Sequence, residues 1–257
     1  MLGRWWRARR AERLLTERAI PDALWGALLS HYPFLGRRSD ADLKTLRALA
    51  TLFLAEKEFT GANGIEVTDD MAVAIAAQAC LPVLKLGLGA YARTIGIVVQ
   101  PGEVLARREV TDEFGLVHQY DEELSGEAME GGPVMLSWQD VAAAGASAVQ
   151  GYNVVIHEFV HLIDMANGAA DGMPPLPDVR TRRHWQLVME AAFERFRRAL
   201  DNGTDTFLDP YGAEAIEEFF PVAAEAFFVA PRSLREEQPA LYELFVGYFG
   251  QDPASFD

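Results

Sequence analysis

The sequence predicts an α+β fold in which helices surround a small mixed sheet. Three observations carry this prediction. Apolar residues recur at helical spacing up to about residue 84, the period drops to two between 94 and 140, and helical spacing returns from there onward. Blocks of helix, sheet and helix indicate α+β rather than a sheet built from alternating strands and helices. The chain has 257 residues, 50% of them hydrophobic, which is enough for a sizeable core. We expect a single domain over 1–257, with a mostly helical N-terminal part over 1–92 and the sheet plus further helices over 93–257.

Taken in order, the first ten residues are basic and carry Trp5 and Trp6, but Ala11-Glu12-Arg13 follows where a secretory signal needs an apolar stretch. They read as a partly ordered basic arm rather than a membrane-surface anchor. Ala41 to Glu58 reads as a helix behind an Asp40 cap. A second helix starts at Thr68-Asp69-Asp70 and runs to Leu84, with Pro82 ending or bending it. Between them, Gly61 to Gly64 reads as a turn and Ile65-Glu66-Val67 as a short extended piece. Strand candidates are 95–99, 104–110, 116–120 and 133–138, with 121–132 as a connecting loop. The helix around residues 148–165 is stopped by Asn167-Gly168. A Pro- and Gly-rich loop over 169–178 leads to helices over 182–200, 214–229 and 233–248.

Composition excludes several function classes. A net charge of −15 disfavours nucleic acid as a partner, because phosphate binding needs a basic surface. The only cysteine, Cys80, cannot form an internal disulfide, and in its apolar run it reads as a buried, inert thiol. No run of eighteen apolar residues exists, so no transmembrane span is expected. A cytoplasmic enzyme is the default reading.

The chemistry is concentrated in His157-Glu158-Phe159-Val160-His161, an H-E-x-x-H pattern. Residues four apart on a helix lie one above the other. His157 and His161 can therefore aim two imidazole nitrogens at one Zn²⁺ ion. Glu158, one step round the helix, can take the proton of an attacking water. With five histidines in the chain, chance would give such a pattern on the order of one time in a hundred. The flanking Val154, Val155, Ile156, Val160, Leu162 and Ile163 make the helix apolar almost all round. Polar side chains on such a helix need partners or a metal.

A catalytic zinc site needs a third protein ligand. Asp164 is the nearest carboxylate, but its short side chain a further turn along a straight helix is badly placed. It more naturally bonds a ligand or neighbouring backbone. Better candidates lie downstream, where Glu218 and Glu225 are seven apart and share one stripe of an apolar helix. Two carboxylates on such a stripe require something cationic opposite them.

Most of the chain, from the Trp5-Trp6 region to Asp252-Pro253, resembles the Mlc titration factor A family of zinc-dependent peptidases. The matching segments are Ala76 to Leu84, Gly96 to Glu103, Gly115 to His118 and Gly132 to Trp138. The H-E-x-x-H helix through Gly168, and Tyr211 through Pro231, match as well. The family in turn is similar to the catalytic domain of anthrax lethal factor. The resemblance implies a zincin-like metalloprotease fold with one Zn²⁺ per chain. It implies His157, His161 and Glu218 as metal ligands, Glu158 as general base and Tyr211 as oxyanion donor, with Glu225 behind a ligand. His118 belongs to the family pattern but reads as a core or strand histidine. The implied function is hydrolysis of a peptide or protein substrate, aminopeptidase-like. The alternative is a regulatory binding protein that sequesters a transcriptional repressor of sugar-phosphotransferase genes. The aromatic segment Leu241 to Phe249 would suit such a contact, yet a core helix explains it equally well.

Overall fold

The computed structural model describes residues 2–102, 104–111, 117–124, 126–128, 131–168 and 170–256. Four helices open the chain: α1 (Leu2–Glu17), α2 (Asp22–His31), the single turn α3 (Pro33–Gly36) and α4 (Asp40–Glu56). The basic stretch, expected as a partly ordered arm, is helical from Leu2. Its Leu, Ala and Arg residues are good helix formers, and the last turns of α1 add an i,i+4 pair, Arg13–Glu17 at 3.8 Å. Met1 lies outside the described residues. The cap of α4 is Ser39 rather than Asp40, since the Ser39 hydroxyl accepts the Asp42 N–H.

Strand β1 (Glu58–Gly61) follows, where the sequence suggested the end of a helix and a turn. It pairs in parallel with β2 (Gly96–Gln100), Glu58 opposite Gly96 and Gly61 opposite Val99. The extended piece expected at 65–67 is not a strand. At Gly61 the chain folds back so closely that a Cβ there would lie 1.9 Å from the Ile65 carbonyl oxygen, and only glycine permits that approach. Between β1 and β2, helix α5 (Asp69–Cys80) is capped by Thr68 and ends two residues before Pro82.

After β2 the chain forms an antiparallel hairpin, β3 (Val104–Thr111) with β4 (Val117–Leu124). Leu116, expected to open the second of these strands, lies outside the described residues. The connecting loop expected over 121–132 is in part strand. Residues 121–124 finish β4, and β5 (Gly126–Ala128) pairs antiparallel with β6 (Val134–Ser137). The main sheet runs β1-β2-β6-β5, three parallel strands with an antiparallel edge strand. Trp138 belongs not to β6 but to helix α6 (Trp138–Ser147), which Ser137 caps.

Helix α7 (Val154–Asp164) carries the H-E-x-x-H residues. It starts six residues later than the sequence suggested, because Gly151 turns the chain at φ 82° and Asn153 caps the helix. Helix α8 (Val179–Asp201) is capped by Asp178, and α9 (Ile216–Val229) follows a single 3₁₀ turn, Pro210–Ala213. The last predicted helix is two, α10 (Pro231–Glu237) and α11 (Pro239–Phe249). Pro239 lacks an N–H and restricts Gln238, so it breaks the run.

The molecule is α+β with a small mixed sheet, as the period changes indicated. Its core is dense in aromatic rings. Phe220, Phe227, Phe245 and Phe249 pack at centroid distances of 5.6–6.5 Å, so α11 is a core helix. Among the described residues, no helix is long and apolar enough to cross a membrane.

Candidate metal centre

Helix α7 is buried on nearly every side by Val154, Val155, Ile156, Phe159 and Val160. Its apolar residues fix it between the sheet and α9, which leaves His157 and His161 one face on which to meet. His157 is 9% exposed and Glu158 5%. Opposite them, α9 presents Glu218 in its first turn and Glu225 two turns on. The His157 ring lies between these carboxylates. Its Nε2 is 3.3 Å from Glu218 Oε2, and its Nδ1 is 2.7 Å from Glu225 Oε1. The feature the sequence required opposite the acidic stripe is therefore an imidazole.

Three donor atoms converge at one end of this arrangement. His157 Nε2 and His161 Nε2 are 3.2 Å apart, and each lies 3.3 Å from Glu218 Oε2. Ligand atoms about 2.0–2.1 Å from a tetrahedral ion are about 3.3–3.4 Å from one another, so the triangle has the dimensions of one tetrahedral face. Glu218 Oε2 is buried and has no hydrogen-bond donor. Three lone-pair-bearing atoms turned toward one point repel unless a cation or proton sits among them, so this donor set fits a metal. Among the described residues, His157, His161 and Glu218 are the one group of three His, Cys, Asp or Glu residues so placed.

Electrostatics agree. Burial alone would raise the Glu218 carboxyl, but the nearby His157 and His161 rings, each 3.3 Å from Oε2, outweigh it and hold it well below the usual carboxylate range. Burial opposes charge on His157, yet Glu225, Glu218 and Glu158 together lift its pKa well above that of an ordinary histidine. The three carboxylates thus favour positive charge on the His157 ring. Burial pushes Glu158 above the usual carboxylate range, against the pull of His157 and His161.

Glu158 lies against β5. A Cβ on Gly126 would come within 2.6–2.8 Å of Glu158 Oε1, Cγ and Cδ, so any larger residue there would have to displace the strand or this carboxylate. A three-residue strand is too short to show alternation in the sequence, so nothing local signals this contact. Tyr211 sits on the 3₁₀ turn before α9, 38% exposed, with its ring 6.1 Å from that of His157. Asp209 fixes the turn by accepting the Tyr211 N–H at 2.9 Å. Gly212 lets the turn pack on α9, since a Cβ there would meet Val222 at 3.1 Å.

Asp164 is outside the triangle. Its Oδ2 accepts the Gly172 N–H at 2.8 Å and its Oδ1 is buried without a donor. The carboxylate holds backbone, as the sequence suggested, and the backbone is that of the loop after α7. Burial raises its pKa to about 6. The side chain of His118 and residue 169 lie outside the described residues.

Two further polar residues were not singled out in the sequence. Asn153 accepts the Ile156 N–H at 2.9 Å, and its own backbone N–H donates to Glu225 Oε2. An Asn directly before an apolar helix is an N-cap signal that could have found it. Gln78, a lone amide in the apolar α5, accepts from Asn153 Nδ2 at 2.7 Å.

An α+β fold in which an H-E-x-x-H helix and a facing carboxylate converge defines a protein of metallopeptidase type. The sequence agrees with that class. A family model described as glucose-regulated metallo-peptidase M90 matches residues 4–250, and the chain belongs to this family. It is 35% identical over 232 residues to Mlc titration factor A of Pectobacterium atrosepticum, covering 89% of this chain and 86% of that protein. It is 34% identical over 224 residues to Mlc titration factor A of Serratia proteamaculans, covering 86% and 84%. An uncharacterized protein of Synechocystis sp. is 33% identical over 244 residues, covering 94% and 88%.

Proposed function

We propose that the chain acts as a single zincin-like domain that hydrolyses peptide bonds with one zinc ion, in an aminopeptidase-like manner. The observation that carries this reading is the triangle of His157 Nε2, His161 Nε2 and Glu218 Oε2, with edges of 3.2–3.3 Å. Two imidazoles and a carboxylate on rigid helices suit zinc better than the harder divalent ions. Zinc held there supplies Lewis acidity at the scissile carbonyl and lowers the pKa of water.

The chain's own residues supply the rest. His157 donates its Nδ1–H to Glu225, which turns Nε2 and its lone pair into the triangle. Glu158, one step round α7, takes the proton of the attacking water and passes it to the leaving amine. Tyr211, on the rim, donates its hydroxyl to the oxyanion of the tetrahedral intermediate. Burial of His157 and Glu158 keeps the local dielectric low, which strengthens each of these interactions.

The test is hydrolysis of a peptide series by the purified chain. Activity should vanish with a chelator and return with zinc. A chain that takes up about one zinc and cleaves none of the peptides contradicts the reading.

The name of the Pectobacterium and Serratia relatives supports a second reading, in which the chain chiefly binds a transcriptional repressor. Repressor binding that survives in zinc-loaded Glu158→Gln while hydrolysis is lost would make the two functions separable. The chain's acidity disfavours nucleic acid as a partner in either reading, and both suit a cytoplasmic protein.

A further inference from the structure

We infer that Gln78, on helix α5, is a positioning residue for His157, acting through Asn153 and Glu225. As a statement about metal binding, this rests on the zinc reading above.

The chain of contacts is continuous and buried throughout. Gln78 and Asn153 are fully buried and Glu225 is 2% exposed. Gln78 Nε2 donates to the Ala74 carbonyl one turn back in its own helix, at 3.1 Å. That bond fixes which way the amide faces, so Gln78 Oε1 is the atom turned toward α7. Asn153 is fixed from the other side, because its Oδ1 must accept the Ile156 N–H to cap α7. Its Nδ2 is therefore the donor that meets Gln78 Oε1 at 2.7 Å. Two backbone groups thus set the orientation of both amides.

The consequence reaches the imidazole. Locked in place, Asn153 donates its backbone N–H to Glu225 Oε2, while Glu225 Oε1 meets His157 Nδ1 at 2.7 Å. Each carboxylate oxygen has one assigned donor, so Glu225 cannot rotate without breaking a buried bond. Imidazole orientation and tautomer follow from the carboxylate. One amide on α5 thereby ties together the start of α7, the middle of α9 and the ring whose Nε2 enters the triangle. A merely structural role would need only the cap of α7, which Asn153 completes without Gln78.

The test is zinc affinity, measured by chelator competition, in the wild type, Gln78→Met, Glu225→Gln and the double variant. Gln78→Met is close in volume and removes the acceptor. It should weaken zinc binding about tenfold, the lower end of what loss of such an outer partner costs. Because Gln78 acts through Glu225, the double variant should bind no more weakly than Glu225→Gln alone. Unchanged affinity in Gln78→Met, or losses that multiply in the double variant, would overturn the inference.

Asn153→Ser keeps a capping oxygen and the backbone donor but breaks the link to Gln78. It should show the same loss, and it carries the test if Gln78→Met does not fold. A wild-type chain that takes up no zinc defeats the zinc reading instead. The inference is then decided in metal-free protein by NMR. Exchange of the His157 Nδ1 proton should be slow in the wild type and faster in Gln78→Met or Asn153→Ser, and equal rates would overturn it.

Discussion

His157 is held from both sides. Glu225 meets one ring nitrogen at 2.7 Å and Glu218 lies 3.3 Å from the other, so the two acidic residues of α9 divide their work by which nitrogen they face. Glu218→Ala removes a donor atom from the triangle, whereas Glu225→Ala leaves all three donors and loosens one. Zinc content after dialysis should therefore fall far more in Glu218→Ala than in Glu225→Ala. The reverse order would move the site along α9. Gly126 gives a second prediction at this scale. Alanine there must displace either β5 or Glu158, and misplacing a reacting group by about 1 Å can cost about 10²-fold in rate. Gly126→Ala should thus keep its zinc and lose most of its hydrolysis. Loss of zinc with unchanged turnover per bound metal would contradict this. The histidines and Glu158 were legible in the sequence because their spacing is local. That Glu218 rather than Glu225 closes the triangle came from resemblance, since periodicity places both on one stripe. Gln78 and Gly126 act across elements far apart in the chain, and no local pattern announces such contacts.

At the scale of elements, α7 is defined at its two ends by side chains that bond backbone. Asn153 caps its start, and Asp164 at its end anchors the following loop through the Gly172 N–H, while Trp185 Nε1 donates to the Gly172 carbonyl at 2.7 Å. Gly172 has φ +73°, and a Cβ there would come 2.9 Å from the Ile216 carbonyl oxygen at the start of α9. The loop is thus wedged between α7, α8 and the turn that carries Glu218. Asp164 does this at a cost, because burial lifts its pKa to about 6. Its folded pKa lies above its unfolded value, so the native state binds the extra proton. Its contribution is then most favourable below about pH 4 and is lost as pH rises through about 6, on the order of 2–3 kcal/mol. In metal-free protein, Asp164→Asn keeps an acceptor for Gly172 and removes the titration. Its Tm should rise relative to wild type between pH 4 and 7, and parallel Tm curves would contradict the assignment. Helices α4 and α8, with clear periodicity, were read within about three residues of their bounds, whereas α5 stops four residues short of the expected Leu84. The errors have physical causes. Sheet pairing recruited Glu58–Gly61 and Gly126–Ala128, segments too short to show alternation, and Pro239 split a run whose apolar period continues past it.

For the whole molecule, the arrangement is a pair of helices whose His157, His161 and Glu218 donors converge, braced by an aromatic core and one edge of a small sheet. The change of period from helix to strand and back made the α+β class readable, because that class follows from the order of the blocks. The strand order β1-β2-β6-β5 was not readable, since long-range pairing is set by packing rather than by any one segment. Membership in the glucose-regulated metallo-peptidase M90 family, matched over residues 4–250, places the chain in a metallopeptidase class, and we propose the triangle as the site of that chemistry. The central claim is that this location performs metal-assisted hydrolysis with Glu158 as the proton carrier. The most direct measurement compares peptide hydrolysis by wild type and Glu158→Gln at equal zinc content. Glu158→Gln should keep its zinc and lose about 10²- to 10⁴-fold in rate. A zinc-loaded Glu158→Gln that cleaves as fast as wild type would contradict it.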